Sequence, residues 1–521
     1  MENKVNPLHE KYGTAQDWYT TNVTIRESLE GEWKDAAQLT LPYVFPDQDM
    51  EETATLPTPF NSIGASGVNT LASKLLLALL PPTGSFFRLL PDTEQIEELG
   101  DNELKQLDGE LEQVERDVVE YINQKAMRVP VYEAVKLLII TGNAMLYKIP
   151  NGSFKVFSPY QYVVQRDYVG NPLTTCIKET MSLLSLPEKV QKQLVDAEDT
   201  NTVEQDKDAS IDSKECDVYT MIVRENKDKY KVWQEIKGIV IDGTEKAYTQ
   251  EKLPYITLRW STVNNESYGR GLVSQYIGDL RSLEGLTQTI VEGAGISAMH
   301  LFGLLPGSNL KVEDLNNAYN GEFVLGDLER EVSTLQVNKG ADLQVPLNLI
   351  AQLEARLGKA FMLMSGQIRD SERTTATEVR ATAAELEATL GGVFSVLAAE
   401  FQTPMITLVL DELEPAALKL STPSITTGIS AISRERDYTN LNTMLQSIAQ
   451  LGPEVIAQYL NVPAYLSQVA TSLGMDANAI VKTSEQIAAE QQQAQEQAMQ
   501  QQAMQTGGQM AIDNNKQQGG V

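Results

Sequence analysis

The sequence predicts an α+β fold that is mainly α-helical, and three observations carry that expectation. Apolar residues recur at i+3/i+4 spacing over most of the chain beyond Ser267. Short β-rich runs divided by Pro and Gly turns fill the stretch from Ser153 to Trp260. Prolines at 81, 82, 404, 453 and 463 punctuate helical patterns where a helix must stop or bend. With 521 residues, of which 42% are hydrophobic, the chain is long enough for about three domains and a sizeable core.

The elements follow in order. Residues 8–40 read as a helix bearing Trp18, Tyr19, Val23, Ile25, Leu29 and Trp33. A Pro-rich loop precedes a second helix, Ser62–Leu80, which is rich in small residues at its start and closed by Pro81 and Pro82. A charged helix spans about Asn102–Lys125, and Pro130 opens a fourth that turns into a strand near Gly142. Strands follow, with turns at Gly170–Pro172, Asn226–Asp228 and Asp242-Gly243, a short helix over Pro187–Ala197, and a polar, acidic loop from Asp199 to Glu215. Beyond Ser267 a long helix carries Leu272, Tyr276, Leu280, Leu283, Ile290 and Ala294 on one stripe. Residues 301–345 read as strands and loops, and a further helix is expected to start with Pro346 in its first turn. After SGQIRDSERTT, the capping box Thr375-Ala-Thr-Glu378 opens a long helix with the stripe Val379, Ala383, Leu386, Leu390, Val393, Leu397 and Phe401, which Pro404 should kink. Shorter helices are expected over 424–483. The tail from Glu485 to Val521 holds 13 glutamines and reads as a frayed or exposed helix ending at Gly507-Gly508.

Several function classes recede on composition. Two distant cysteines, Cys176 and Cys216, fit a reducing compartment and no thiolate metal site. Two histidines, His9 and His300, leave little room for zinc or Ser-His chemistry, and His300 reads as a dipole partner at a helix C-terminus. The acidic pairs Glu51-Glu52, Glu97-Glu98 and Asp411-Glu412 read as solvated faces. No catalytic constellation, cofactor or metal is expected. No run reaches the roughly 18 apolar residues that span a bilayer, and no apolar signal region stands at the N-terminus, which fits a protein made in the cytosol. The net charge of -29 argues against an ordinary DNA-binding module, whose affinity comes from neutralising phosphates.

The stretch ESYGRGLVSQYIGDLRSLEGL, Glu266–Leu286, raises the remaining question. A dinucleotide loop needs GxGxxG after a strand, but Gly269-Arg-Gly271 is followed by Ser274 where the third glycine belongs. Gly271, Gly278 and Gly285 are spaced by sevens and so share a helical face. Each costs about 1 kcal/mol relative to alanine in a helix. Either another backbone approaches there, or that side must stay smooth, or glycine is merely tolerated at exposed positions; a packed helix–helix contact is the favoured expectation.

The order of parts, and the wording of PFNSIGASGVNTLASKLLLALLP, YVVQRDYVGNPL, ESYGRGLVSQYIGDLRSLEGL, LEARLGKAFMLMS and TATEVRATAAELEATLGGVFSVLAAEFQTPM, resemble the portal proteins, or head–tail connectors, of short-tailed, autographivirus-type bacteriophages. The resemblance is collinear over about residues 10–485. It implies a portal-type fold: a wing over 1–262, a stem helix over 263–300, a β-containing clip over 301–345, a returning stem helix over 346–364, a channel loop over 365–375, a long kinked spine helix over 376–420, a helical crown over 421–484 and a helical tail over 485–521.

The resemblance further implies a dodecameric ring of this chain at one capsid vertex of the virion, assembled in the bacterial cytoplasm. Double-stranded DNA would enter through it under the terminase large subunit and leave through it at infection. Tail adaptor and nozzle proteins would dock on it, and major capsid, scaffolding and internal core proteins would assemble around it. It implies no enzyme and no membrane. Gln367, Arg369, Asp370, Ser371, Glu372, Arg373 and Thr374 would face DNA, Gly271, Gly278 and Gly285 would allow close stem packing, and Lys311, Glu329 and Arg330 would lie at the docking end. Two rivals remain: a structural virion protein without a channel, and a nucleotide-binding enzyme using the Gly269–Gly271 turn.

Overall fold

The computed structural model describes residues 7–46, 55–81, 86–91, 101–182, 215–298, 300–307, 310–319, 327–336, 340–363, 392–417 and 421–425, with a few single positions besides. The chain forms two compact units. The first comprises Met1–Pro82 and Val118–Lys419, the second Thr83–Asp117 and Leu420–Val521.

The first unit opens with α1 (Pro7–Tyr12) and α2 (Ala15–Gln38). The single helix expected over 8–40 is split because Gly13 sits at φ +74°, and Thr14 then caps α2 by accepting the Asp17 N–H. Helix α3 (Ile63–Leu79) buries Gly64, Gly67, Val68, Leu71, Ala72, Lys74, Leu75, Ala78 and Leu79 and exposes Ser66 and Ser73. Its buried side needs small residues where backbones meet, and Gly64 lies against the Leu39 carbonyl. In the second unit, β1 (Phe87–Pro91) pairs antiparallel with β13 (Ser421–Ile425), and the Leu89 N–H donates to buried Glu115 at 2.7 Å. Neither strand is legible in the sequence pattern. Helix α4 (Asp101–Gln124) carries the chain onward to α5 (Arg128–Thr141), which ends at Gly142 with φ +81°.

The strand region forms antiparallel sheets, as its short β-rich runs and turns suggest. β2 (Asn143–Lys148), β3 (Phe154–Phe157) and β10 (Tyr255–Arg259) form one antiparallel sheet in the order β10-β2-β3. β4 (Tyr162–Arg166), β5 (Pro172–Ser182), β6 (Glu215–Asn226), β7 (Lys229–Ile236), β8 (Ile239–Val240) and β9 (Lys246–Thr249) form the other, with β9 pairing β7. Val163, Cys176, Tyr219, Met221 and Trp233 on this sheet pack with Ala15 and Tyr19 of α2. Buried Arg26 of α2 donates to the Tyr162 carbonyl at 2.9 Å and pairs with Glu30, also at 2.9 Å.

Long helices then take over. α6 (Leu272–Ala298) leads to β11 (His300–Leu304), which pairs with β12 (Val332–Gln336). His300 is therefore a strand residue paired with Gln336, not a helix C-terminal residue: α6 ends before it. Between the strands lie α7 (Val312–Asn317) and α8 (Leu328–Glu331), where only strands and loops were expected. Helix α9 (Gly340–Ala360) begins before Pro346, which falls inside it rather than at its start. The last described helix, α10 (Gly392–Leu413), absorbs Pro404 through a π-helical segment, Ala398–Gln402. Proline lacks the N–H that its own turn requires, and a locally widened turn accommodates the missing bond.

By length and composition alone α10 is apolar enough to cross a membrane, contrary to the expectation that no segment is. Its apolar residues are accounted for by the fold: Phe394, Leu397, Phe401, Met405, Ile406, Val409 and Leu410 are buried in the first unit. Of the helix expected over Pro187–Ala197 only Val190 and Gln191 are described, and both are helical; the acidic loop 199–214, the spine start at 376–389, nearly all of 426–484 and the glutamine-rich tail lie outside the described residues.

Candidate functional site

The glycine stretch resolves into two different structures. Gly269 and Gly271 precede α6 and lie against the end of α5. A Cβ on Gly269 would stand 2.8 Å from the Gly142 carbonyl oxygen, and one on Gly271 2.5 Å from that of Ile140. Here three glycines let two chain segments touch backbone to backbone. Asn143 locks the junction: its Nδ2 donates to the Gly269 carbonyl at 2.9 Å and its Oδ1 accepts the Gly269 N–H at 2.7 Å. The Arg270 N–H donates to the Ser261 carbonyl at 3.2 Å, and the Ser261 hydroxyl to the Arg270 carbonyl at 2.8 Å. These N–H groups are consumed inside the fold, so the turn is not a phosphate cradle.

Gly278 and Gly285 lie one and two helical repeats farther on, and a Cβ on either meets nothing within 4 Å in this chain. The three glycines therefore do not share a role. The opposite side of α6 does the packing, through Leu280 and Leu283, both buried. Helix α9 lies against α6: Arg356 pairs with Asp279 at 3.4 Å, and the Tyr276 and Phe361 rings stand 6.3 Å apart. A strap from the Pro-rich loop crosses the pair. Glu284 of α6 accepts the backbone N–H groups of Phe60 and Asn61 at 2.8 and 3.2 Å, and the Asn61 side chain donates to Glu354 of α9 at 3.0 Å. Val291, Val345, Leu347 and Leu349 are left exposed on these helices.

Helix α9 ends in a Schellman-type cap. Leu363 N–H donates to the Gly358 carbonyl at 2.7 Å and Met362 N–H to that of Lys359 at 3.1 Å, with Met362 at φ +57°. Buried Lys74 of α3 sends its ammonium to the Met362 carbonyl at 2.9 Å. Lys74 interrupts the apolar run Leu71–Leu80 in the sequence, and in the fold it is a buried donor at a helix C-terminus. Gln367, Arg369, Asp370, Ser371, Glu372, Arg373 and Thr374 lie outside the described residues. Lys311, Glu329 and Arg330 are all exposed, and Arg330 makes only a loose pair with Asp327 at 3.9 Å.

Two charged clusters escaped the sequence reading. Glu400, in the π-helical segment, accepts both the Arg259 Nε–H and the Arg259 backbone N–H at 3.1 Å. Glu412 accepts from Lys148 at 2.6 Å, from the Tyr121 hydroxyl at 2.8 Å and from the Asn151 N–H. Burial works against its ionisation, but these donors outweigh it and hold the carboxyl below the ordinary glutamate range. Glu412 is thus a structural hub rather than part of a solvated acidic pair, and its neighbour Asp411 is paired with Lys252. A carboxylate four or eight residues from Pro404 gives no periodic signal, so only the partners reveal it.

The model of the family described as bacteriophage head to tail connecting protein matches residues 13–481. The chain belongs to that family. It is 35% identical over 484 residues to the portal protein of Enterobacteria phage T3, covering 91% of this chain and 89% of that one. It is 35% identical over 474 residues to the portal protein of Escherichia phage T7, covering 88% and 87%. To the portal protein of Pseudomonas phage phiKMV it is 32% identical over 481 residues, covering 89% and 91%. This connector is thus of the autographivirus kind that its motifs resemble, and its fold is the mixed helix-and-sheet, mostly helical fold described above.

Proposed function

We propose that this connector forms a dodecameric ring at one capsid vertex, with α6 and α9 as its stem. The observation that carries the reading is the unfilled side of α6: Gly278 and Gly285 face open space in the single chain while the other side packs on α9. A helix keeps such costly glycines where a second surface comes close, and a ring supplies that surface as the next copy. Residues 301–345 then form the clip, where the terminase large subunit and later the tail adaptor and nozzle proteins dock, and Lys311, Glu329 and Arg330 are its accessible charges. The spine is 376–420, the crown 421–484, and capsid, scaffolding and internal core proteins surround the wing.

The same reading makes the ring a conduit and not an enzyme. A subunit of net charge -29 repels phosphate, so DNA moves through the bore without the phosphate contacts that make binding tight and salt-dependent. The segment 365–375 balances Arg369 and Arg373 against Asp370 and Glu372, giving brief contacts only. The test is electron microscopy of the purified full chain, followed by packaging with the R369A/R373A variant. Closed rings with an axial hole, and altered DNA packaging or retention in the variant, are expected. Absence of rings overturns the ring, and normal packaging and retention in the variant overturn the DNA contact.

A further inference from the structure

We propose that the Pro-rich strap 57–61 is a latch across α6 and α9, and that it holds the fulcrum about which the far ends of these two helices move. The inference rests on the reading of α6 and α9 as a stem that carries the β11–β12 end.

Asn61 joins three helices. Its Oδ1 accepts the Ile63 N–H at 2.9 Å and so holds the first turn of α3. Its Nδ2 donates to Glu354 of α9 at 3.0 Å, and its own N–H donates to Glu284 of α6 at 3.2 Å. The Phe60 N–H takes the other Glu284 oxygen at 2.8 Å. Two successive backbone N–H groups thus converge on one carboxylate, an arrangement that favours a negative charge. Pro57 and Pro59 restrict the backbone that leads into it.

The latch sits where burial ends. The two helices meet at matching levels: Tyr276 by Phe361, Asp279 on Arg356, then Glu284 and Glu354 on Asn61. Leu283 and Leu353 are buried beside that last level. Beyond it, no residue from Gly285 to Gly295 on α6, or from Gln344 to Gln352 on α9, is buried. Helix α6 runs on from Glu284 to Ala298, about 20 Å at 1.5 Å per residue, before β11 begins. A helix pair packed on one side of a level and solvated on the other bends at that level, because only the packed part is held by its neighbours. The strap is bonded there, through partly exposed hydrogen bonds to carboxylates. These bonds are strong enough to hold the level, and they open without unfolding the packed base.

The experiment is hydrogen exchange on dissociated subunits of the full chain, in the wild type, E284Q and E354Q. Wild-type amides should be protected up to Leu283 and exchange faster from Leu286 to Gly295. Glutamine at 284 turns an N–H2 group toward one of the strap's N–H groups. In E284Q the amides of Leu280 to Leu283 should therefore exchange about tenfold faster or more, while Leu272 to Tyr276, β6 and β7 keep wild-type protection. E354Q should act in the same direction with a smaller change. A second readout is the distance between spin labels on Y168C and L305C, both exposed positions, one on the β4–β5 turn and one just past β11. E284Q should broaden that distribution. A wild-type profile without a step at Glu284, or unchanged exchange at 280–283 in E284Q, overturns the latch. So does an acceleration shared equally with β6 and β7, which would make Glu284 an ordinary stability contact, and so does a label distribution of unchanged width. If E284Q does not fold, E354Q is held to the same outcomes. Failure of the wild type to form rings overturns the stem reading alone, since the latch is read in the subunit.

Discussion

Arg259 of β10 clasps Glu400 of α10 three times: its backbone N–H and its guanidinium Nε–H each donate at 3.1 Å, and its Nη2 donates to the same carboxylate. The clasp ties the π-helical turn of α10 to the strand that leads into the Gly269–Gly271 junction, and it has a third participant. Arg166 is half-buried and bonded to the Ser267, Gly170 and Thr257 carbonyls. Burial, and then the charge of Arg259, lower its pKa to about 10, while Glu400 opposes that fall. Glu400 is bonded to Arg259 and favours the charged form of Arg166 at longer range.

Removing the carboxylate should cost more than removing one of its partners. E400Q leaves Arg259, whose side chain is 7% exposed, without a counter-charge, whereas R259M leaves Glu400, 20% exposed, within reach of water. Denaturant unfolding should show a loss of about 1.5–3 kcal/mol for E400Q and less for R259M. The double variant should lose less than the sum, with a coupling of about 0.5–3 kcal/mol. Strict additivity would mean that the clasp contributes nothing as a pair.

The glycine junction makes a sharper distinction between positions of one residue type. G271A must drive a methyl to within 2.5 Å of the Ile140 carbonyl, and the neighbours are backbone that cannot swing aside. A loss of about 1–3 kcal/mol follows from overpacking alone. G278A, on an open helix surface, should leave the isolated subunit unchanged or stabilise it by up to about 1 kcal/mol. Equal effects of the two, read as Tm of dissociated subunits, would remove the distinction between a backbone junction and a free face.

Glu412 should give the first unit part of its acid sensitivity. Its folded pKa lies below the ordinary glutamate value, although burial alone would raise it. The sign follows: the unfolded chain takes up this proton at higher pH than the folded one. The stabilisation is therefore complete above the unfolded value and disappears as pH falls through the folded one. In E412Q the slope of unfolding free energy against pH, measured below about pH 5, should be shallower than in the wild type. At neutral pH the variant should be less stable by about 1.5–3 kcal/mol, because Lys148 and the Tyr121 hydroxyl lose a charged acceptor. A slope unchanged by the substitution would assign the acid sensitivity to other carboxylates.

What the sequence disclosed depended on whether a feature had a period. The stripe Leu280, Leu283 on α6, the β-rich runs and the turn between β6 and β7, and the helix-to-strand turn at Gly142 were all legible, because spacing and turn chemistry are local. The pairing of β1 with β13 was not, because its two strands come from opposite halves of the chain and each carries a proline, Pro91 and Pro423. Pro346 misled for a simpler reason: proline is favoured in a first turn but tolerated deeper when the helix is held by a neighbour, as α9 is by Arg356 on Asp279. Lys74, Glu400 and Glu412 are charged residues whose meaning lies in partners remote in sequence. Pattern reading assigns such residues to breaks and surfaces, since isolated charges are almost never buried without a mate.

The side of α6 that carries Gly278 and Gly285 gives the prediction that bears most directly on assembly. In one chain both positions are open, so a larger side chain meets no obstacle there: a Cβ on either finds no atom within 4 Å. G278L and G285L should thus fold as well as the wild type, and leucine should even raise helix propensity relative to glycine by roughly 0.5–1 kcal/mol. In a ring the same side would face the next copy, and overpacking would cost about 1–3 kcal/mol at each contact. Because every subunit repeats the contact, the penalty accumulates around the ring while the subunit itself gains. Sedimentation and thermal unfolding separate the two effects: dissociated subunits with an equal or higher Tm, together with fewer or less heat-stable rings, are expected. Rings of unchanged stability in both variants would show that this face is solvated in the assembly, and the glycines would then need another explanation.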